Sequence, residues 1–228
     1  MLKDLKKEVL LANQELQTRK LVIYTWGNVS GIDREKGLVV IKPSGVAYDD
    51  LTLEDMVVLD LDGNIVEGNL RPSSDTATHL ELYRQFEEIG GVVHTHSLWA
   101  TVWAQAGKSI SCRGTTHADH FYGEIPCTRP LEKHEVEEDY ELNTGKVIVE
   151  TFSKLDYKHM PAVLVDEHGP FVWGKDPQDA VHNSVVLEQV AQIAYLTKEL
   201  SNTEQAISDY VVDKHYLRKH GPGAYYGQ

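Results

Sequence analysis

Along the first twenty residues the apolar positions recur with a helical period. Leu2, Leu5, Val9 and Leu16 fall on one stripe with Lys and Glu between them, so the chain opens on an amphipathic helix. Beyond it the runs shorten. The stretches 21–24, 38–42, 57–61, 91–96, 146–150, 162–165 and 171–173 are rich in β-branched residues and bounded by Gly, Pro, Asp or Asn, which predicts strands. Asp62-Gly63-Asn64 joins two such runs, and Asp166-Glu167-His168-Gly169-Pro170 joins two others. Short links of this kind predict hairpins, and hairpins imply antiparallel pairing. Longer segments at 76–89, 98–106, 132–140, 177–200 and 204–219 predict helices. The 177–200 segment has Pro177 in its first turn and a broad apolar face of Val181, Val185, Val186, Val190, Ile193 and Ala194, as a core helix or a subunit contact requires. Helices scattered among hairpin-linked strands predict an α/β fold with a largely antiparallel mixed sheet covered by helices, not a doubly wound parallel sheet. No repeat, low-complexity tract or linker interrupts the pattern, so residues 1–228 read as a single domain.

Composition narrows the function classes. The 228 residues carry 22 Lys+Arg against 35 Asp+Glu, a formal net charge of −13, so no basic stripe is available for nucleic acid or an anionic membrane surface. The 41% hydrophobic and 25% charged fractions suffice for one sizeable core. Cys112 and Cys127 are too few for a disulfide framework, the N-terminus has no secretory apolar region, and no run approaches the roughly 20 apolar residues of a membrane helix. A soluble cytoplasmic protein is expected. Against this background, eleven histidines stand out.

His94 and His96 are two apart in a predicted strand, where side chains at i and i+2 share a face, so the pair has the spacing of a chelate. The same spacing also decorates ordinary strand faces. His168, beside Gly169 in a predicted hairpin, offers a third imidazole or serves only the turn. Asp75 is a fourth candidate ligand, although Ser73-Ser74-Asp75 before an amphipathic segment is equally what N-capping favours. Capping and binding are compatible, because a helix N-terminus with free N–H groups also cradles phosphate. Three imidazoles with or without a carboxylate suit a catalytic divalent transition metal, Zn2+ first, with Mn2+ or Co2+ as alternatives.

Several motifs together resemble a known family. Thr25-Trp26-Gly27-Asn28-Val29-Ser30, Ile41-Lys42-Pro43-Ser44-Gly45, Pro72-Ser73-Ser74-Asp75-Thr76, His94-Thr95-His96-Ser97 and the tail from Lys214 to His220 with Ala224-Tyr225-Tyr226-Gly227-Gln228 resemble the L-ribulose-5-phosphate 4-epimerases of the class II (metal-dependent) aldolase and adducin superfamily. The likeness runs through the whole chain in one order. It implies a three-layer αβα fold and a metal held by Asp75, His94, His96 and His168. It further implies substrate contacts from Gly27, Asn28, Ser44, Gly45, Ser73 and Ser74, mostly around the phosphate, and acid/base roles for Asp119 and Tyr226. It implies a homotetramer with sites between subunits and a phosphorylated pentulose as substrate, supplied by arabinose or ascorbate breakdown. Lys42 and Arg218 are candidates for further phosphate contacts, or else surface cations with solvated heads. His117, His120, His215 and His220 are candidate proton-relay residues, with solvent exposure the commoner fate of such histidines. Leu98-Trp99, where more polar residues are expected, and a slightly short 153–160 stretch depart from the family pattern.

The implied reaction is retro-aldol cleavage between C3 and C4 followed by re-addition on the other face of the aldehyde. Two other readings remain: a class II sugar-phosphate aldolase that releases the fragments, and a non-enzymatic adducin-like assembly domain. Asp75 separates the first, since aldolases of the family usually carry Glu there. A missing metal site would mark the second.

Overall fold

In the computed structural model, residues 2–203 and 205–225 are described; Tyr226 therefore lies outside the described residues. The opening helix α1 (Lys3–Thr18) is followed by β1 (Asn28–Asp33), β2 (Leu38–Ile41), β3 (Val57–Asp60), β4 (Ile65–Glu67), α2 (Thr76–Gln85), β5 (Gly91–His94) and α3 (Leu98–Gln105). The second half holds α4 (Thr115–Ala118), α5 (Lys133–Glu137), α6 (Tyr140–Thr151), β6 (Ala162–Leu164), β7 (Pro170–Gly174), α7 (Pro177–Ser201) and α8 (Asp209–His220). Seven strands form one sheet in the order β4-β3-β2-β1-β5-β7-β6, and every neighbouring pair is antiparallel. Among the described residues the parallel component shrinks to one isolated bridge between Cys127 and Leu164.

Strand alternation on β1 defines the layers. Ser30 points to one face, where its hydroxyl meets His79 Nδ1 at 2.7 Å and Tyr83 Oη at 2.8 Å, both on α2. Gly31 points to the other, against Leu5 and Val9 of α1 and Pro177 of α7. With α6 packed on α2, and α3 on α7, the sheet lies between two helical layers. Gly31 pairs with Gly91, and Gly91 with Gly174, so three glycines form a row across β1, β5 and β7. The row seats the N-terminus of α7: a Cβ on Gly91 would lie 2.5 Å from Asp176 O, and one on Gly174 would lie 2.5 Å from Ala180 N. Asn13, fully buried on α1, completes the joint by accepting from Val29 N at 2.9 Å and donating to Val29 O at 3.1 Å.

Three sequence expectations need correction. Residues 146–150 are helical, within α6, because Thr144, Val147 and Ile148 are buried at helical spacing and Gly145 lets α6 approach α2. Residues 21–24 form no strand: Lys20 and Tyr24 both have positive φ, and Ile23 and Tyr24 are exposed. The 132–140 segment divides, since α5 ends at Glu137 and Tyr140 begins α6. β1 went unread because its two apolar residues, Val29 and Ile32, stand apart among Asn28, Ser30, Gly31 and Asp33; β4, implied by the 62–64 hairpin but given no bounds, is an exposed three-residue edge.

Candidate metal centre and substrate cleft

The sheet brings the histidines together at one end. His94 is the last residue of β5, His96 follows just beyond the strand, and His168 sits in the turn between β6 and β7. One nitrogen from each lies within 4.8 Å of the others. The His94 ring stacks on Phe171, its cross-strand neighbour, with centroids 4.2 Å apart, and its Nδ1 is 3.0 Å from Pro170 O. A carbonyl only accepts, so Nδ1 carries the hydrogen and Nε2 is a bare lone pair. That Nε2 is 3.1 Å from His96 Nε2. Lone pairs converging at this distance suit a shared cation, and the imidazole donor set fits a divalent transition metal.

Electrostatics keep these rings in ligating form. Burial, reinforced by the other two imidazoles, pushes the His168 pKa down to about 3. His96 is lowered by burial and then by His94. Both stay neutral at physiological pH, as ligation requires.

Asp75 occupies the N-cap position of α2, but its side chain makes no capping bond. Instead its Oδ2 accepts from Asn28 Nδ2 at 2.6 Å, and Asn28 also donates to Ser73 Oγ at 3.0 Å. Burial opposes ionisation of Asp75, yet His94, His79 and the Asn28 amide outweigh it and hold the carboxyl below its usual range. Asn28 stands opposite His94 in the β1–β5 register, so carboxylate and triad face the same space.

That space is a cleft of about 590 Å³. Its walls include Gly27, Asn28, Lys42, Ser44, Gly45, Ser73 and Ser74 together with Asp75, His94, His96 and His168. Pro43 and Pro72 form a bridge, with Ser44 N donating to Arg71 O and Ser73 N to Lys42 O, which sets the two serine segments side by side. Gly27 has φ +80°, and a Cβ there would lie 2.7 Å from His94 O, so this turn requires glycine. Tyr48 pins it by donating to the Trp26 and Gly27 carbonyls, each at 2.8 Å.

Lys42 is not a surface cation. It is 1% exposed, donates to Val46 O at 2.7 Å, and burial lowers its pKa to about 8. Arg218 is placed differently from the serines and Lys42: it does not line the cleft but pairs with Asp119, both Asp119 oxygens lying 3.0 Å from Arg218 Nη2. His215 Nδ1 reaches Asp119 Oδ1 at 3.1 Å, and His220 Nε2 reaches Asp119 O at 2.9 Å. Burial again opposes ionisation, and the His215 and Arg218 bonds overcome it, so Asp119 is held below its usual range. It is therefore no free loop carboxylate, and it too is absent from the cleft wall of its own chain. His117 is buried, against the expectation of exposure, with Nε2 2.7 Å from Gly123 O and burial pushing its pKa down to about 4. Leu98 is exposed, and Trp99 packs against Tyr195.

Two wall residues were missed in the sequence, Tyr140 and Glu141. The available signal was Asp139 before Tyr140-Glu141, an acidic helix start that the 132–140 reading ran through.

Residues 7–195 match the family model described as class II aldolase and adducin N-terminal domain. The chain belongs to this family. Class II aldolases of the family are metal-dependent, and the three imidazoles fit that chemistry. The chain is 58% identical over 227 residues to L-ribulose-5-phosphate 4-epimerase UlaF of Salmonella paratyphi B, covering 100% of both, and equally to UlaF of Salmonella typhi. Among solved structures, an L-fuculose 1-phosphate aldolase superposes with a TM-score of 0.80 at 26% identity, over 94% of this chain and 95% of that one. The L-fuculose-1-phosphate aldolase of Thermus thermophilus shares the fold, with a TM-score of 0.69 at 24% identity over 89% of this chain and 100% of that one.

Proposed function

We propose that the chain is a metal-dependent L-ribulose-5-phosphate 4-epimerase, a cytoplasmic isomerase that interconverts L-ribulose 5-phosphate and D-xylulose 5-phosphate. The observation that carries this reading is 58% identity over the whole chain to enzymes of that name. Zn2+ is the metal we assign, with Mn2+ or Co2+ as alternatives, held by Asp75, His94, His96 and His168. When bound, the cation supplies positive charge beside the oxygens on which negative charge develops.

The substrate dictates the bond that must break. In a 2-ketopentose 5-phosphate the C4 hydrogen lies β to the C2 carbonyl, so its removal gains no resonance and cannot invert C4. Opening the C3–C4 bond can. A base takes the C4 hydroxyl proton, the bonding pair moves to C3, and the fragments are the enediolate of dihydroxyacetone and glycolaldehyde phosphate. The aldehyde turns over, C3 re-adds to its other face, and an acid protonates the new C4 oxygen. Two faces need two proton-transfer groups, and Asp119 and Tyr226 take these roles. Asp119 makes no part of its own chain's cleft wall, which favours a homotetramer with Asp119 and Tyr226 serving sites between subunits.

The phosphate stays anchored throughout. A protein with a net charge of −13 repels such an anion at long range, so its grip is local. In this reading the phosphate is taken by Ser44, Gly45, Ser73 and Ser74, which line the cleft together with Lys42. Asn28 Oδ1 is buried without a partner among the described residues and accepts from a substrate hydroxyl.

The test is product analysis with L-ribulose 5-phosphate, with and without chelator. D-xylulose 5-phosphate is expected, and chelator abolishes its formation. Free glycolaldehyde phosphate as the main product would make the protein an aldolase. His96→Asn is expected to lose metal and activity together, whereas Asp119→Asn and Tyr226→Phe lose activity and keep metal.

A further inference from the structure

Tyr140 opens α6 at the edge of the cleft, and its Oη is 3.2 Å from His168 Nδ1. The backbone that carries it is held on three sides. Thr144 Oγ1 donates to Tyr140 O at 2.8 Å, Thr78 Oγ1 donates to Glu141 O at 2.5 Å, and Gly145 brings α6 against α2 so closely that a Cβ there would lie 2.7 Å from Glu81 Cβ. The hydroxyl is thus placed by a fixed helix start and not by a mobile loop.

The direction of the Tyr140–His168 hydrogen bond follows from imidazole chemistry. With Nδ1 facing Tyr140, His168 has Nε2 left for the triad. An imidazole that ligates through one nitrogen carries its hydrogen on the other, so Nδ1–H donates to the Tyr140 oxygen. Tyr140 then accepts from His168 and retains its own hydrogen. That O–H, with the Thr144 hydroxyl as its neighbour within the helix, is available to the cleft that Tyr140 lines.

We propose that Tyr140 is a substrate-contacting residue with two tasks at one atom: its oxygen holds His168 in the tautomer that presents Nε2, and its O–H donates to an oxygen of the sugar chain at the triad end of the cleft. This rests on the epimerase reading above. It separates the recognition of the sugar oxygens from that of the phosphate, which the serine segments and Lys42 serve.

Tyr140→Phe removes the hydroxyl and keeps the ring, while Thr144→Val loosens the helix start and keeps the hydroxyl. Metal affinity is read by competition with a chromophoric chelator, KM and kcat with L-ribulose 5-phosphate, and stability by thermal unfolding of the metal-free proteins. Tyr140→Phe is expected to bind zinc about tenfold more weakly, as loss of a ligand's outer partner does. At saturating metal its KM is expected to rise about tenfold, from loss of one neutral hydrogen bond, with a smaller change in kcat and wild-type unfolding. Thr144→Val takes away one of the bonds that fix the helix start and is expected to weaken both affinities by clearly less than Tyr140→Phe does. Wild-type metal affinity and KM in Tyr140→Phe, beside a wild type that binds zinc and epimerises, would overturn the proposal alone. Equal losses in both variants would overturn it in favour of a structural role. A wild type that neither binds metal nor turns over the substrate would sink the epimerase reading and this proposal with it.

Discussion

Asn28 Nδ2 donates to Asp75 Oδ2 at 2.6 Å, tying the first residue of β1 to the N-cap of α2. The bond turns the carboxylate away from the capping role its position invites and toward the triad. Asn28→Ala removes the donor to the ionised form, so the Asp75 carboxyl titrates higher and its orientation is lost. Metal affinity is expected to fall about tenfold. Chelator competition measures it, and an unchanged dissociation constant would show that Asn28 has no part in holding the ligand.

Arg218 and His215 hold the Asp119 carboxyl below its ordinary range against the opposing effect of burial. A carboxylate in that state is ionised at neutral pH and free to accept a proton. Arg218→Met removes three charge-assisted bonds, and the Asp119 pKa rises. Since a base must be ionised to act, the acid limb of kcat/KM moves to higher pH, while metal content stays as in the wild type. A limb that does not move would place the controlling ionisation elsewhere.

The legibility of this protein in its sequence divides along chemical lines. The grouping of His94, His96 and His168 was readable because imidazoles at strand and hairpin spacings carry their chemistry in the sequence, and the structure gathers one nitrogen from each within 4.8 Å; Asp75 lines the same cleft. The hairpins at Asp62-Gly63-Asn64 and 166–170 were readable because turn residues are local signals. Residues 146–150 were misread because a run of Val and Ile is ambiguous over five residues, and only the facing α2 decides in favour of a helix. β1 escaped notice because its residues serve the site and the glycine row instead of an apolar face. Tyr140 could not be ranked, since its meaning depends on a turn 28 residues away.

The glycine row makes a prediction about stability. A methyl on Gly91 would meet backbone atoms, Asp176 O at 2.5 Å and Pro177 Cα at 2.6 Å, which cannot yield without shifting α7 from the sheet. On Gly31 it would meet the side-chain tips of Pro177, Leu5 and Val9 between 2.8 and 3.0 Å. Gly91→Ala is therefore expected to cost about 3 kcal/mol, the upper end of overpacking penalties, and Gly31→Ala about 1 kcal/mol. Denaturant unfolding of the metal-free variants compares them. Equal costs would mean that α7 adjusts freely over the row.

His117 gives the fold an acid sensitivity separate from the metal centre. Its Nε2 donates to Gly123 O at 2.7 Å, so the ring is the Nε2–H tautomer, and its buried Nδ1 has no partner among the described residues. Protonation would create a buried N–H without an acceptor, and burial accordingly lowers the pKa from 6.5 to about 4. The sign follows: between these values the unfolded chain binds a proton that the folded chain refuses. Stability is complete above pH 6.5, falls as the pH drops toward 4, and levels off below. The loss from this one residue is about 3 kcal/mol. Gln at position 117 can keep a donor for Gly123 O and has no ring to titrate. The midpoint of unfolding of metal-free His117→Gln should therefore decline less steeply than that of the wild type over this window, and parallel declines would assign the sensitivity to other groups.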